Sequence, residues 1–270
     1  MAMTMTDEEY AALTEQIRSD LDIDLDAYKA QQMQRRLSTF IRNHAPSVAE
    51  FIELLDGDQA LLAELRDTIT INVSEFLRDA HQFERLRDEV LPPILAAHSR
   101  ISIWSAACSR GQEPYSLAML LQGLGVRRRA RILATDLDRD ALRLARAGGP
   151  YREEDLRNLS AEQRGKFINE EDAGPFVERE TRSMVTFKEH NLLRDDFGSG
   201  FHLIVCRNVL IYFSPEVKST IINGFKEALA PGGVLFIGGS EALLSGDREG
   251  FHSVGGNFYQ KTDVPVARAA

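Results

Sequence analysis

Cysteine is scarce in this 270-residue chain, with Cys108 and Cys206 the only two. Two thiols make neither a disulfide framework nor a zinc cluster, so a reduced, cytoplasmic setting and no metal site are expected. Long apolar runs are missing as well. Stretches such as residues 234–239 fall far short of the roughly 20 residues a membrane helix needs, so no membrane insertion is expected. The opening MAMTMTDEEY lacks the basic and apolar regions of a signal peptide. Positive charge is in deficit, with 32 Lys and Arg against 41 Asp and Glu for a net charge of −9. That balance argues against a surface built to grip nucleic acid or anionic membrane. What is present, 43% hydrophobic and 27% charged residues, describes a globular protein with material for a substantial core.

The charge deficit is uneven. Residues 1–26 hold eight acids against the single cation Arg18. From Ala27 to Ala49 there is no acid at all, while Lys29, Arg35, Arg36 and Arg42 supply positive charge. Those four residues suit a basic helix face that meets an acidic partner. Pairing with the acids of residues 1–26 is the other reading. A second basic cluster, Arg127, Arg128, Arg129 and Arg131, is expected to face solvent.

Hydrophobic spacing reads as helix through the first 90 or so residues. Tyr10, Leu13, Ile17 and Leu21 step by three and four behind the capping-box pattern Thr6-x-x-Glu9. Leu37, Phe40 and Ile41 mark a second helix, Phe51, Leu54 and Leu55 a third, and Leu61, Leu62, Leu65 and Ile69 a fourth. A further helix from Phe83 to Leu95 is broken near Pro92-Pro93. After Ser99, short apolar runs alternate with helical stretches, the pattern of a doubly wound α/β sheet. Strands are expected at Ile101–Ala107, Arg131–Thr135, Phe201–Cys206 and Val234–Ile237, with helices at Pro114–Leu124, at Asp138–Ala147 and after Ser214-Pro215. Between them, Gly148 to Asn191 reads as an insertion with a short helix near Ser160–Phe167 and strand-like runs at Pro175–Glu180 and Met184–Glu189. The expected organisation is a helical domain at 1–80, a linker helix at 81–98, and an α/β domain at 99–270 with an inserted subdomain at about 148–190.

Open α/β sheets bind ligands in the crevice at the carboxyl ends of their strands. The first strand ends in Ala106-Ala107-Cys108-Ser109-Arg110-Gly111-Gln112-Glu113, a turn with one glycine where a dinucleotide fingerprint has three. Glu113 stands where a pyrophosphate sits in that fingerprint, and an acid there suits a cation. Asp136, at the tip of the second strand, is placed to accept hydrogen bonds from ribose hydroxyls. Together they favour a nucleoside with a positively charged appendage, and S-adenosyl-L-methionine fits that description. The plainer alternatives are a helix cap for Asp136 and a first-turn acid for Glu113. Ala230-Pro231-Gly232-Gly233, a helix-end turn entering a strand, adds to the methyltransferase reading.

At these residues the chain resembles the CheR-type chemotaxis receptor methyltransferases, which esterify glutamate side chains on bacterial chemoreceptors. The resemblance runs over nearly the whole chain. It is carried by Thr70-Ile71-Asn72-Val73-Ser74-Glu75-Phe76-Leu77-Arg78, by Trp104-Ser105-Ala106-Ala107 leading to Gly111-Gln112-Glu113-Pro114-Tyr115-Ser116, and by Cys206-Arg207-Asn208-Val209-Leu210-Ile211-Tyr212-Phe213. It implies an α/β fold: a Rossmann-like S-adenosylmethionine-dependent methyltransferase sheet, an N-terminal all-α domain and a small inserted β-subdomain. It also implies that Asn72, Ser74 and Arg78 reach the cofactor, with Glu113 and Asp136 beneath it and Asn191, Leu192, Arg207 and Asn208 completing the pocket. Ser74 stands where many members have threonine, and Leu77 where many have phenylalanine.

The implied reaction gives glutamate methyl esters and S-adenosyl-L-homocysteine. A glutamate carboxylate is already ionised at neutral pH and needs no general base, so orientation is the enzyme's main task. Arg78 is the candidate for holding a carboxylate, and Tyr212 for a hydrogen bond near the transferred methyl. An interdomain salt bridge and an aromatic core position are their respective alternatives. No histidine pairs with either cysteine, so neither is expected to be a nucleophile. The expected partners are the acidic cytoplasmic helices of methyl-accepting chemoreceptors, contacted by Lys29, Arg35, Arg36 and Arg42, and the enzyme is expected to be a monomer. Two rivals are a dinucleotide-dependent oxidoreductase, opposed by the missing glycines, and a non-catalytic receptor-binding adaptor or cofactor sensor.

Overall fold

Thr6 starts the first helix, α1 (Asp7–Leu21), with a reciprocal cap: its hydroxyl accepts from the Glu9 amide, and the Glu9 carboxylate accepts from the Thr6 amide. In the computed structural model, which describes residues 5–243 and 246–262, such caps open most of the early helices. Ser47 caps α3 (Val48–Leu55) and Asp58 caps α4 (Gln59–Thr70), while α2 spans Ala30–Arg42 between α1 and α3. These four helices form one compact unit, Met1–Asn72 together with Tyr212–Lys218. Its core is the apolar face read from the spacing, with Leu13, Ile17, Leu37, Ile41, Phe51 and Leu65 fully buried. Each such side chain contributes roughly 1.5–3 kcal/mol. The later segment joins by backbone pairing. The Lys29 amide donates to the Tyr212 carbonyl and the Ser214 amide to that of Ala27, with the Tyr28 and Phe213 rings 5.1 Å apart.

The second unit comprises Val73–Ile211 and Ser219–Ala270. It opens with α5 (Ala80–Arg85) and α6 (Leu91–Ala97), joined by a π-helical stretch at Leu86–Val90. The break expected at Pro92-Pro93 is therefore a local widening one turn earlier. Prolines cannot donate to the preceding turn and their rings crowd its carbonyls, and an i→i+5 turn relieves both.

The remaining elements are β1 (Ile101–Ala106), α7 (Gln112–Gly123), β2 (Ala130–Asp136), α8 (Arg139–Ala147), α9 (Ala161–Phe167), β3 (Ile168–Glu171), β4 (Gly174–Val177), α10 (Arg179–Arg182), β5 (Val185–Glu189), β6 (Phe201–Cys206), α11 (Pro215–Ala228), β7 (Leu229–Ile237), β8 (Phe251–Ser253) and β9 (Phe258–Lys261). Seven strands form one sheet in the order β5-β2-β1-β6-β7-β9-β8. All neighbours are parallel except at β9, which runs antiparallel to both β7 and β8. That reversed strand separates this sheet from the all-parallel dinucleotide-binding arrangement.

Three elements depart from the sequence reading. The sequence pattern places Met184–Glu189 in the insertion, yet β5 pairs with β2 in the main sheet. The insertion keeps only the hairpin β3–β4 as its own sheet. Within Pro175–Glu180 the strand stops at Val177, because the Glu178 carboxylate accepts from the Glu180 and Thr181 amides and starts the short α10. The hairpin β8–β9 closes the far edge of the sheet without an alternating pattern long enough to announce it.

The turn after β1 depends on Gly111, which adopts φ +94°. A Cβ there would lie 3.0 Å from the Ala145 Cβ and 3.2 Å from the Tyr151 hydroxyl. Gly111→Ala should therefore destabilise the second unit by about 1–3 kcal/mol, measured by urea denaturation.

Candidate active site

Glu113 sits in the first turn of α7 with its side chain largely buried. Its carboxylate accepts from the Ser105 hydroxyl of β1 at 2.8 Å and lies 3.7 Å from the Arg207 guanidinium. Burial pushes the carboxyl above its usual range, opposed by Arg207 and by the Ser105 hydrogen bond. Asp136 ends β2 and accepts from the Ser109 amide at 2.7 Å and the Asp138 amide at 2.9 Å. Burial raises it to about 6. The capping role considered for Asp136 falls to its neighbour: Asp138 accepts from the Asp140 and Ala141 amides at the start of α8.

Arg207 is the cation of this site. Its side chain is only 2% exposed, packs over the adjoining Phe83 and Phe236 rings, and donates to Asp79 at 2.7 Å and to the Arg78 carbonyl at 2.9 Å. Arg78 forms no ion pair among the described residues, and its guanidinium donates to the Val73 carbonyl. The alternative of a structural salt bridge is not realised there. The segment carrying Arg78 is pinned within the second unit: the Phe76 amide donates to Asp155, the Leu77 amide to the Ser116 hydroxyl, and Asn158 to the Phe76 carbonyl.

The backbone around these groups is strained. Leu77, Asp79, Ala107, Ser109 and Asn208 all have positive φ without being glycine, each costing on the order of 1–3 kcal/mol and typical of functional sites. Asn191 follows the end of β5, next to the His190 amide that donates to the Asp136 carbonyl, and its side chain accepts from the Leu193 amide. Leu192 and Ser74 are half-buried. Asn72 belongs to the first unit, where it donates to Asp67 and Thr70. Tyr212 belongs there too, half-buried, with the Arg36 guanidinium 5.2 Å from its ring centroid, while the adjacent Phe213 takes the core position.

The basic residues divide. Arg18 holds Glu15, Asp24 and Asp26, so those acids do not engage α2. Arg35 and Arg42 are exposed and form no ion pair among the described residues; Lys29 is exposed at the start of α2. Of the second cluster, Arg127 pairs with Glu180, and Arg129 is not simply solvated. It donates to the Leu95, His98 and Ser99 carbonyls and satisfies the end of α6.

Sequence reading missed Ser105, Asp79 and Glu241. The signal for Glu241 is an acid among Gly238, Gly239, Ala242 and Leu243 just past a strand, and it is only 5% exposed. Cys108 and Cys206 are buried and pushed well above the usual thiol range, chiefly by burial, so both stay protonated and non-nucleophilic at neutral pH. With Glu113 and Asp79 on the Arg207 guanidinium and Asp136 buried at the end of β2, the acceptor set suits a ligand that brings positive charge and hydroxyls, and it does not suit a diphosphate. Arg207→Met should remove the counter-charge of Asp79 and Glu113 and cost about 3–5 kcal/mol in urea denaturation.

Residues 8–70 match the family described as CheR methyltransferase, all-alpha domain, and residues 72–259 match CheR methyltransferase, SAM binding domain. The chain is 40% identical over 259 residues to a chemotaxis protein methyltransferase of Listeria monocytogenes serovar 1/2a, spanning 95% of this chain and 98% of that one. It is 37% identical over 256 residues to a chemotaxis protein methyltransferase of Vibrio parahaemolyticus serotype O3:K6, spanning 90% and 92%. A sheet with one reversed strand and these full-length likenesses agree, and the chain belongs to the CheR family of S-adenosylmethionine-dependent chemotaxis methyltransferases.

Proposed function

We propose that this enzyme methylates glutamate side chains on the cytoplasmic helices of bacterial chemoreceptors, acting in the cytoplasm and releasing S-adenosylhomocysteine. The observation that carries the reading is the basic face of α2. A shallow cleft of about 480 Å³ is lined by Gln32, Arg35, Arg36, Thr39, Phe40 and Asn43 of that helix and by Thr68 of α4. Its cations are the ones unclaimed by the acids of α1, so they are available to an acidic helix. Arg36 lies both in this cleft and against the Tyr212 ring, which links substrate recognition to the candidate catalytic tyrosine. Among the described residues, no helix is long and apolar enough to cross a membrane.

S-adenosylmethionine supplies, when bound, a methyl group on a cationic sulfur, an electrophile that a carboxylate takes without prior deprotonation. The work left to the chain is binding and orientation. Glu113 and the neighbouring acids favour the positive charge of the cofactor, and Asp136 accepts from its ribose hydroxyls. Ser74, Asn191, Leu192, Arg207 and Asn208 border the nucleoside and its tail. Arg78 has its planar fork available for a carboxylate. These roles follow from residue chemistry together with the family motifs that the residues occupy.

Incubation with chemoreceptor membranes and methyl-labelled S-adenosylmethionine should give base-labile label released as methanol. Label in a base-stable product would indicate a different acceptor atom, and no label above a heat-killed control would favour an adaptor. The pair Arg35→Glu and Arg42→Glu, which spares the Arg36–Tyr212 contact, should raise the receptor KM about tenfold while leaving the cofactor Kd unchanged. Unchanged KM would discard the α2 face.

Burial sets a pH dependence through Asp136. Its ligand-free carboxyl is protonated below about pH 6, and a ligand that needs the ionised form must then displace the proton. Affinity for S-adenosylhomocysteine should be flat above that pH and weaken about tenfold per pH unit below it. Calorimetric titration from pH 5 to 8 reads this directly, and a Kd constant across the range would remove Asp136 from the ribose site.

A further inference from the structure

Glu241 stands just past the end of β7, 5% exposed, and forms no ion pair among the described residues. A carboxylate so placed must be neutralised by hydrogen bonds, and here backbone amides from two different strand exits supply them. Its Oε2 accepts from the Gly238 amide at 2.6 Å and the Asn208 amide at 3.0 Å, and its Oε1 accepts from the Ile211 amide at 3.3 Å. The acid is itself held in place. Its amide donates to the Gly238 carbonyl, and the Asn257 side chain donates to the carbonyls of both Gly238 and Glu241.

The clasp closes at close quarters. A Cβ at Gly238 would stand 2.7 Å from the Glu241 Oε2 and 2.8 Å from the Asn208 nitrogen, so the contact requires glycine at that position. Asn208 is held at φ +61°, in the left-handed region that few residues other than glycine occupy. Immediately before it is Arg207, whose guanidinium reaches Asp79 and Glu113.

We infer that Glu241 is a positioning residue for cofactor binding: it fixes the 207–211 loop, and through it Arg207 and Asn208, by clasping the exit of β6 to the exit of β7. The inference rests on the reading that Arg207 and Asn208 border the cofactor. Glu241 acts through them, so cofactor affinity measured on folded protein is the readout that a merely structural role would not move.

Calorimetric titration of the full chain with S-adenosylhomocysteine, at a temperature where circular dichroism shows each variant folded, tests it. Glu241→Ala should raise Kd about tenfold or more, and Gly238→Ala, which wedges the same contact apart, should reproduce the loss. Glu241→Gln keeps one acceptor oxygen for the Gly238 and Asn208 amides and should return Kd to within about threefold of the parent. Asn208→Ala should itself weaken binding. If it does while folded Glu241→Ala and Gly238→Ala keep the parent Kd, the role of Glu241 is overturned. Should Glu241→Ala fail to fold, Gly238→Ala alone decides in the same way. An unchanged Kd in Asn208→Ala overturns instead the site reading beneath the inference.

Discussion

Arg207 is the interaction on which the site depends. A guanidinium buried against Phe83 and Phe236 has surrendered most of its hydration, and it regains partners from Asp79, from the Arg78 carbonyl and from Glu113. Those partners lie on the segment before α5 and in the first turn of α7, while Arg207 itself leaves β6. One buried cation thus ties three chain segments of the second unit together at the carboxyl ends of its strands. It also makes Glu113 tolerable in the interior, since the same carboxyl without a neighbouring cation would be pushed further towards its neutral form.

Around that cation the second unit concentrates features that oppose stability. Glu113 and Asp136 are buried acids whose ionisation burial disfavours, and five non-glycine residues near them sit in the left-handed backbone region. Such arrangements persist where surrounding packing over-determines them. Here the support is aromatic. Trp104 is fully buried, bonded through its indole N–H to Thr135 and packed against Phe197, Phe201 and Phe225. Beneath the β1–α7 turn, Tyr115 and Tyr151 are buried and send their hydroxyls to the Ala145 and Arg110 carbonyls. The sheet and its aromatic layer thereby hold Glu113, Asp136 and Arg207 in place.

In the first unit the division of charge has a different purpose. Arg18 gathers the acids at the end of α1 and just beyond it into a local network, and the cations of α2 are left without that competition. The backbone bridge between residues 27–29 and 212–214 seats Tyr212 against Arg36. The candidate catalytic side chain is therefore braced by the helix proposed to read the substrate.

The sequence by itself determined what is set within a few residues of chain. Thr6, Ser47 and Asp58 cap their helices through amides two or three residues away, and the i, i+3, i+4 spacing of Leu13, Ile17 and Leu21 selects the buried face. Asp136 is legible as a strand end and Glu113 as an acid in the first turn of the helix that follows β1. The capping alternative for Asp136 was settled only when the fold showed Asp138 already serving that helix. Placement of Met184–Glu189, the β8–β9 hairpin, and the roles of Asp79, Ser105 and Glu241 were decided by the tertiary structure alone. Strand pairing of β5 with β2 leaves no local periodic trace. Asp79 meets Arg207 across 128 positions and Glu241 meets Asn208 across 33. Contacts at such separations form only after the sheet has brought its strand ends together, so no window of neighbouring residues records them.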